Sequence, residues 1–552
     1  MSGAVSRRDF VALMLGAPLA AKLAGCSNRA TPGLPPGVLI DTGMATGHER
    51  IRTLLAGDGI AAMAQLPVAR HHQVVIVGAG AAGLATAWAL RKAGLKDIVV
   101  LEHCDTIGGT ARGDAAAEFP HPWGAHYVVA PMREQTDLTE LLADMGAIEG
   151  HGPDGAPIVD EALRCRDPEE RIFYRGRWYD GLYLFAGANA DDRKQFATFN
   201  AEIDRLASVR DSANRRGFAI PVDAGSNPAE LTALDQQSFA SWLDQRKLTS
   251  PRLRWLADYA CRDDFGLLAH DTSAWAGLFY FAARQKRSGA HAQPVVTWPT
   301  GNDALIQHLA RGQSVERNTT VVQITPRSAS HPHASVIAIT PQGPVHLTAK
   351  HVVVCVPQFV AKRIVVGLAA DRAGDTADYG AWAVANLQLR ARPRRRPGDA
   401  PASWDNVIYD SPSLGYVIAT HQAGRDTGAT MWTWYYPFCD VDAAAQRQRI
   451  AGASQADYAE VVLRDLQRAH PDIRELVTNI DIAFWGHGMV RPRVGSVWAP
   501  TRVARAAAFG NVHFAHTDLS GMALFEEAYG HARRAAREIL AAEATPLDAG
   551  GR

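Results

Sequence analysis

Residues 73–77 form a continuous apolar, β-branched run, the pattern of a strand buried on both faces of a parallel sheet. An alanine-rich stretch, 81–93, has helical composition and stops at Gly94, and residues 98–101 return to an apolar, β-branched run. The alternation predicts strand, glycine turn, helix, strand. From about 132 to 293 the pattern becomes charged and helical, as in "DDRKQFATFNAEIDRLASVR". The helix-strand pair "VVTWPTGNDALIQHLARG"/"SVERNTTVVQITP" follows, then "KHVVVCVP", another buried-strand run. Between about 367 and 480 lie the short strand-like pieces "DNVIYD", "LGYVIATHQ" and "TMWTWYYPF" and an amphipathic helix around "YAEVVLRDLQRAH". The chain closes with a strand, a turn and a long helix in "NVHFAHTDLSGMALFEEAYGHARRAAREIL".

The chain has 552 residues, enough for roughly two or three domains. Its 57 basic residues balance 57 acidic ones, so net charge supplies no reason to expect a nucleic-acid partner. The one dense basic run, "RARPRRRPG" at 390–398, is Pro-punctuated and reads as a solvated loop or a contact for an anionic group. At the N-terminus, Arg7 and Arg8 precede an apolar stretch at 10–25 that Lys22 interrupts. The stretch falls short of the roughly 20 apolar residues a spanning helix needs. Ser6, Arg7, Arg8 and Phe10 resemble a twin-arginine export signal, with an ordinary secretory signal or short anchor as the alternative. "LAGC", ending at Cys26, resembles a lipobox. These likenesses imply a signal over 1–27, a tether and arm over 28–70, and a periplasmic or cell-envelope protein touching the membrane only through a lipid on Cys26. Twin-arginine export carries folded proteins, which points to a prosthetic group inserted beforehand. The remaining cysteines, at 104, 165, 261, 355 and 439, lack metal-type spacing and read as isolated buried thiols, so no metal is expected.

Gly78, Gly80 and Gly83 form a GxGxxG between the first strand and helix. Gly78 permits the tight turn, Gly80 lets backbone approach a pyrophosphate, and Gly83 allows close helix-strand packing. The first helical N–H groups, at Ala81 and Ala82, then face the phosphates with the positive end of the helix dipole. Glu102, 19 residues beyond Gly83 at the end of the second strand, is placed to accept hydrogen bonds from ribose hydroxyls.

The doublet Gly108-Gly109 in "EHCDTIGGTAR" separates FAD from NAD, because here the chain resembles FAD-dependent oxidoreductases related to flavin-containing amine oxidases, phytoene desaturases and protoporphyrinogen oxidases. The resemblance implies that Gly109, Thr110 and Arg112 lie at the cofactor. It also implies that "HPWGAHYV" around Gly124 is a flavin-proximal turn, and that Val321 and Val322 belong to the strand meeting adenine. In the C-terminal segment, a helix start at Gly521 and Met522 would point N–H groups at the flavin. Relatives carry an acid for the ribitol directly after Ala-Gly; here it comes one place late, as Asp518, which is otherwise a helix-capping residue. They also carry a lysine on the strand after "VP", and the matching 379–389 has none, which weakens ordinary amine oxidation and efficient use of oxygen.

The implied fold is α/β: a discontinuous Rossmann-like FAD-binding domain (71–131, 294–366, 481–545) with a second α+β substrate-binding domain (132–293, 367–480). The implied activity is hydride transfer from a small-molecule C–H to flavin N5, with the electron acceptor unassigned. Alternatives are a desaturase or redox-neutral isomerase on the same fold, or a non-catalytic flavin-bearing electron-transfer lipoprotein. For the substrate side, Trp432, Trp434 and Tyr436 share one strand face and form either an aromatic wall or a sheet-core stripe. His487 is either a proton carrier or structural, with Arg491 and Arg493 nearby. His126 either faces the flavin or bonds backbone, and Arg262, Asp263 and Asp264 form either a substrate-facing group or a helix-ending ion pair.

Overall fold

The structure, a computed structural model, describes residues 33–55, 63–285, 294–374, 377–439 and 442–544. The twin-arginine segment and Cys26 lie outside the described residues. The predicted strand-helix-strand unit is present as Arg70–Val77, Ala81–Lys92 and Ile98–Leu101. Its two strands pair in parallel, with Val74 opposite Ile98 and Val77 opposite Leu101. Both are fully apolar at their buried ends because both faces are covered, one by helices Ala81–Lys92 and Phe525–Ala544, the other by residues of Thr320–Thr325, Ala334–Thr340 and Gln358–Ile364.

Around that unit the parallel sheet runs Val315–Glu316, Ile98–Leu101, Arg70–Val77, Gly343–Val354 and Val512–Phe514. Gly343–Val354 does double duty. Its first half pairs antiparallel with Ala334–Thr340, and its last residues pair with Val512–Phe514. Strands from three distant stretches thus bring their carboxyl ends to one edge of one sheet, where open α/β folds bind ligands.

A second sheet of eight strands runs Leu39–Ile40, Val477–Val490, Tyr379–Leu389, Thr430–Pro437, Gly415–Ile418, Asp405–Ile408, Glu170–Tyr174 and Arg177–Asp180. Residues from both predicted substrate segments therefore share it. Val477–Val490 lies wholly inside it, so the chain returns to the first sheet later than the 481 expected from sequence. One face of this sheet packs on helix Gln455–Gln467 through Ala383, Ala385, Leu387, Trp432 and Trp434. The other face, with Trp382, Val384 and Tyr435, packs towards helices Pro251–Phe265 and Ala274–Ala282 and borders the main cavity. The arm expected before residue 70 is seen in its described part. Leu39–Ile40 adds to the edge of Val477–Val490, and helix Met44–Leu55 follows it.

Candidate active site

A cavity of about 570 Å³ runs from the glycine turn, between the two sheets, to the acidic end of helix Pro251–Phe265. At the nucleotide end, Gly78 sits at φ +100° and Gly108 at φ +105°, backbone values that favour glycine. Gly80 caps helix Ala81–Lys92 in extended conformation with no side-chain cap, so the first helical N–H groups are left for another acceptor. A Cβ on Gly80 would meet nothing nearer than the Gly108 carbonyl at 4.0 Å, whereas one on Gly83 would lie 1.8 Å from the Gly78 carbonyl. Gly80 therefore leaves space and Gly83 spends it on packing, the division of labour the motif implies. Glu102 accepts the Ala79 N–H at 2.7 Å and the Cys104 N–H at 2.8 Å, fixing the turn while each oxygen keeps a lone pair for a hydroxyl donor. Gly78, Gly80, Ala81, Ala82, Glu102, Gly109, Thr110, Gly124 and Val321 all border the cavity. An uncapped helix start, an acid and a glycine-lined crevice that side chains do not plug suit a dinucleotide diphosphate.

Five cofactor expectations need correction. Arg112 does not border the cavity; it is 6% exposed and its guanidinium donates to Thr106 Oγ1 (2.8 Å) and the Asp41 carbonyl (2.7 Å), tying down the arm. Val322 lies between the paired residues Val321 and Gln323 where the register shifts, so Val321 reaches the cavity instead. The last helix begins at Phe525, which leaves Gly521 in a turn at φ +78° and Met522 fully buried in the core. Ala523 and Leu524 take the position at the cavity.

Asp518 is also behind the wall. Its Oδ2 accepts the Gln358 N–H (2.7 Å) and the Tyr379 hydroxyl (2.6 Å), and Oδ1 lies 3.0 Å from His516 Nδ1. Despite burial, which raises it, His516 and these donors pull its pKa down to about 2. The stability it adds is present above the unfolded value near 4 and is lost as pH falls towards 2. Asp518→Ala is expected to cost about 2–4 kcal/mol in flavin-free and flavin-loaded protein alike. A ribitol contact would weaken only the loaded form, and paired thermal melts separate the two.

On the substrate side the alternation of Thr430–Pro437 is as expected, and Trp432, Trp434 and Tyr436 form the sheet-core stripe, the second of their two readings. Trp434 is fully buried against helix Gln455–Gln467, donating Nε1–H to Asp465 at 2.8 Å, and Tyr436 stacks on it. Trp432 is likewise buried on that side. Tyr435 borders the cavity instead, with its hydroxyl donating to the Gly124 carbonyl at 2.9 Å. Trp485 Nε1–H donates to the Trp123 carbonyl at 2.7 Å, so two aromatic side chains of the second sheet pin the turn expected beside the flavin. His126 borders the cavity and stacks on Tyr435 at 4.9 Å between ring centres. His487 borders it too, stacked on Phe359 at 4.3 Å. Burial lowers both histidines to about 4, helped at His487 by Arg447, His48 and Arg363. Both imidazoles are therefore neutral at pH 7, which favours the structural reading of His487 over the proton-carrier one. Arg491 and Arg493 both pair with Asp378 instead of reaching the cavity. Arg262 donates to the carbonyls of Ser411, Pro412 and Ser413, leaving Asp263 and Asp264 as the cavity members of that trio.

The far end of the cavity is acidic beyond the Asp263 and Asp264 pair that the sequence offered as a substrate-facing group. Asp264 is gripped by Arg284 through both oxygens, at 3.0 and 2.7 Å. Beside it, Asp263 has only the Tyr280 hydroxyl at 3.3 Å, and burial and Asp264 push its pKa up. Asp405 faces these from the sheet and takes the Tyr259 hydroxyl at 2.9 Å. In sheet register Asp405 stands directly opposite Glu170. Burial, Glu170 and Asp263 hold Asp405 well above the carboxylate range, and burial with Glu169 raises Glu170 to about 7. Like charges placed side by side on neighbouring strands destabilise a sheet unless something positive lies between them. Burial keeps the phenols of Tyr127, Tyr259, Tyr280 and Tyr435 protonated, so the carboxylates are the proton acceptors at this end. No lysine borders the cavity among the described residues.

The model of the flavin containing amine oxidoreductases matches residues 81–540. Oxidoreductase PigB of Serratia sp. (strain ATCC 39006) is 23% identical over 531 residues, covering 84% of this chain and 74% of that protein. Putrescine oxidase bound to putrescine superposes with a TM-score of 0.62 at 20% identity, over 85% of this chain and 99% of its own. A fatty acid isomerase from P. acnes that produces CLA does so with a TM-score of 0.57 at 14% identity, over 85% of this chain and 98% of its own. With a family match running from the first turn of the glycine-capped helix almost to the end of the last helix, the chain belongs to the flavin-containing amine oxidoreductases, and its cofactor is FAD.

Proposed function

We propose that the chain oxidises a cationic amine, with Asp405 and Asp263 receiving the substrate's positive charge. The observation that carries this reading is the facing of Asp405 and Asp263 across the cavity, with Glu170 in register beside Asp405 and without a cationic partner. Arg284, the guanidinium at this end, is already engaged by Asp264. An ammonium group placed between the carboxylates repays the cost of ionising them, and a desolvated carboxylate with a raised pKa can take a proton from it. Tyr127, Trp382 and Tyr435 exclude water and offer π faces to a cation. Bound FAD would supply the two-electron acceptor for oxidation of the C–H beside the amine nitrogen. The chain's own contribution is to hold that carbon between the aromatic walls and the turn at Gly124. The reading extends to location: an exported protein, lipid-tethered at Cys26.

A second reading, a redox-neutral isomerase or desaturase, is favoured by the cavity's lack of lysine and by the fold shared with the fatty acid isomerase. Anaerobic titration of the holoenzyme distinguishes them. Mono- and diamines are expected to bleach the flavin band; bleaching by unsaturated fatty acids alone would assign a desaturase instead, and double-bond migration without net bleaching an isomerase. The carboxylates also set a pH signature. As pH falls from 8 to 6, Asp263, whose pKa burial and Asp264 push up, takes up a proton and KM for an amine rises by about tenfold. Asp263→Asn flattens that rise, and steady-state kinetics across the range measures it.

A further inference from the structure

The basic run at 390–398 is not a merely solvated loop. It closes one side of a second cavity, of about 550 Å³, that lies apart from the flavin crevice. Six guanidinium groups border this cavity, those of Arg166, Arg171, Arg392, Arg394, Arg395 and Arg396, against three carboxylates, Asp167, Asp399 and Asp426. Asp426 is engaged by Arg166 through both oxygens. The other five arginines have no ion-pair partner among the described residues.

Arg171 is the most telling of them. It is 5% exposed, and its guanidinium reaches only neutral acceptors: Asn406 Oδ1 at 2.5 Å, the Ala400 carbonyl at 3.1 Å and the Tyr416 hydroxyl at 3.1 Å. Its planar group also stacks 3.9 Å over Trp178. Arg395 turns to the Asp399 carbonyl oxygen and Arg396 to that of Gly176, again neutral groups. Burying a charge without a counter-charge is costly, and massing further cations around it adds repulsion. The repulsion registers on His470, which bonds the Tyr416 hydroxyl at 2.7 Å. Burial, Arg171 and Arg396 together hold it far below its ordinary value.

We propose that this cavity is a binding site for a phosphate-bearing anion, the missing counter-charge of the arginine cluster. Guanidinium groups arriving from two distant stretches of chain suit a tetrahedral, multiply charged oxyanion better than a single planar carboxylate. The phosphate could belong to a soluble diphosphate or phosphate ester, or to an anionic lipid headgroup. The proposal is independent of the amine reading, since the two cavities lie on opposite faces of the second sheet. Along Glu170–Tyr174, the neighbours Glu170 and Arg171 serve one face each.

Thermal melts of the holoenzyme with pyrophosphate, at ionic strength held constant with chloride, test it. The expected result is a saturable rise in Tm that gives an apparent Kd. The double variant Arg394→Ala/Arg396→Ala, which alters two exposed side chains, weakens that Kd by at least tenfold. The flavin spectrum certifies that the variant is folded. Sedimentation with phosphatidylglycerol and phosphatidylcholine vesicles separates the sources. Selective binding to the former, lost in the double variant and reversed by pyrophosphate, assigns a lipid headgroup; vesicle-independent pyrophosphate binding assigns a soluble ligand. A Tm shift that chloride reproduces, or that survives intact in the double variant, overturns the proposal.

Discussion

Asp405→Asn is expected to raise the stability of the amine-free holoenzyme at pH 8 while lowering kcat/KM for cationic amines by about 10². Asp405 has a folded pKa well above its unfolded one, so the folded state holds a proton that the unfolded state has released. The sign follows from linkage. The favourable contribution is present at pH values below the unfolded value near 4, and it is lost as pH rises through the folded pKa. At pH 8 the carboxylate is therefore a burden, relieved in the native cycle only by substrate. Asparagine removes the charge and keeps an oxygen for the Tyr259 hydroxyl, so the gain should be about 1–3 kcal/mol at pH 8 and should vanish near pH 4. Melting curves at both pH values, with amine kinetics at pH 8, measure the two halves. A variant that melts lower at pH 8, or that turns over amines normally, would remove Asp405 from the site.

The glycine crevice yields the second large effect, as a contrast between neighbours. Gly80→Val places its Cβ no nearer than 4.0 Å to any neighbouring atom, the Gly108 carbonyl oxygen being the closest, and points its methyls into the crevice, on a backbone at φ −79° and ψ −172° that valine adopts without strain. The expected product is a folded protein with FAD content below about a tenth of normal, its flavin-free Tm within a few degrees of the parent's. The helix start loses only its glycine cap, worth roughly 1 kcal/mol or less. Gly83→Ala instead drives a methyl to 1.8 Å from the Gly78 carbonyl, forcing helix and turn apart. It should cost about 3 kcal/mol whether flavin is present or not. Absorbance for flavin and circular dichroism for fold distinguish emptying the crevice from breaking it.

What could be read from the chain was local. The first strand-turn-helix-strand unit, with Gly78, Gly80, Gly83 and Glu102, needs only neighbours in sequence, and its pattern has one physical solution. The face of Thr430–Pro437 was not local. Alternation shows that Trp434 and Tyr435 point oppositely, but only packing decides which side receives helix Gln455–Gln467 and which the cavity. Asp518 misled for a related reason: a buried acid near a ligand-binding turn looks alike from sequence whether it holds a ribitol or a tyrosine and a backbone N–H. Of the acidic end, the sequence offered only Asp263 and Asp264, as a candidate substrate-facing group, and no sign of Glu170 and Asp405. Glu170 and Asp405 each begin a short strand, and nothing short of the parallel register between segments 235 residues apart brings them side by side. The available signal was an acid at the first position of both "ERIFY" and "DNVI".

The arm has a kinetic meaning. Leu39–Ile40 is stitched to the second sheet, while the next few residues reach the first: the Asp41 carbonyl accepts from Arg112, and the Gly43 carbonyl lies 3.0 Å from His103 Nε2. Thr42, Met44 and His48 then form part of the wall at the nucleotide end. A dinucleotide seated there is latched by a strap joined to both halves of the molecule, and it leaves only when that strap peels from one of them. Loosening the short edge strand or the two carbonyl contacts is therefore expected to speed the release of FAD, in the direction of an exchangeable group.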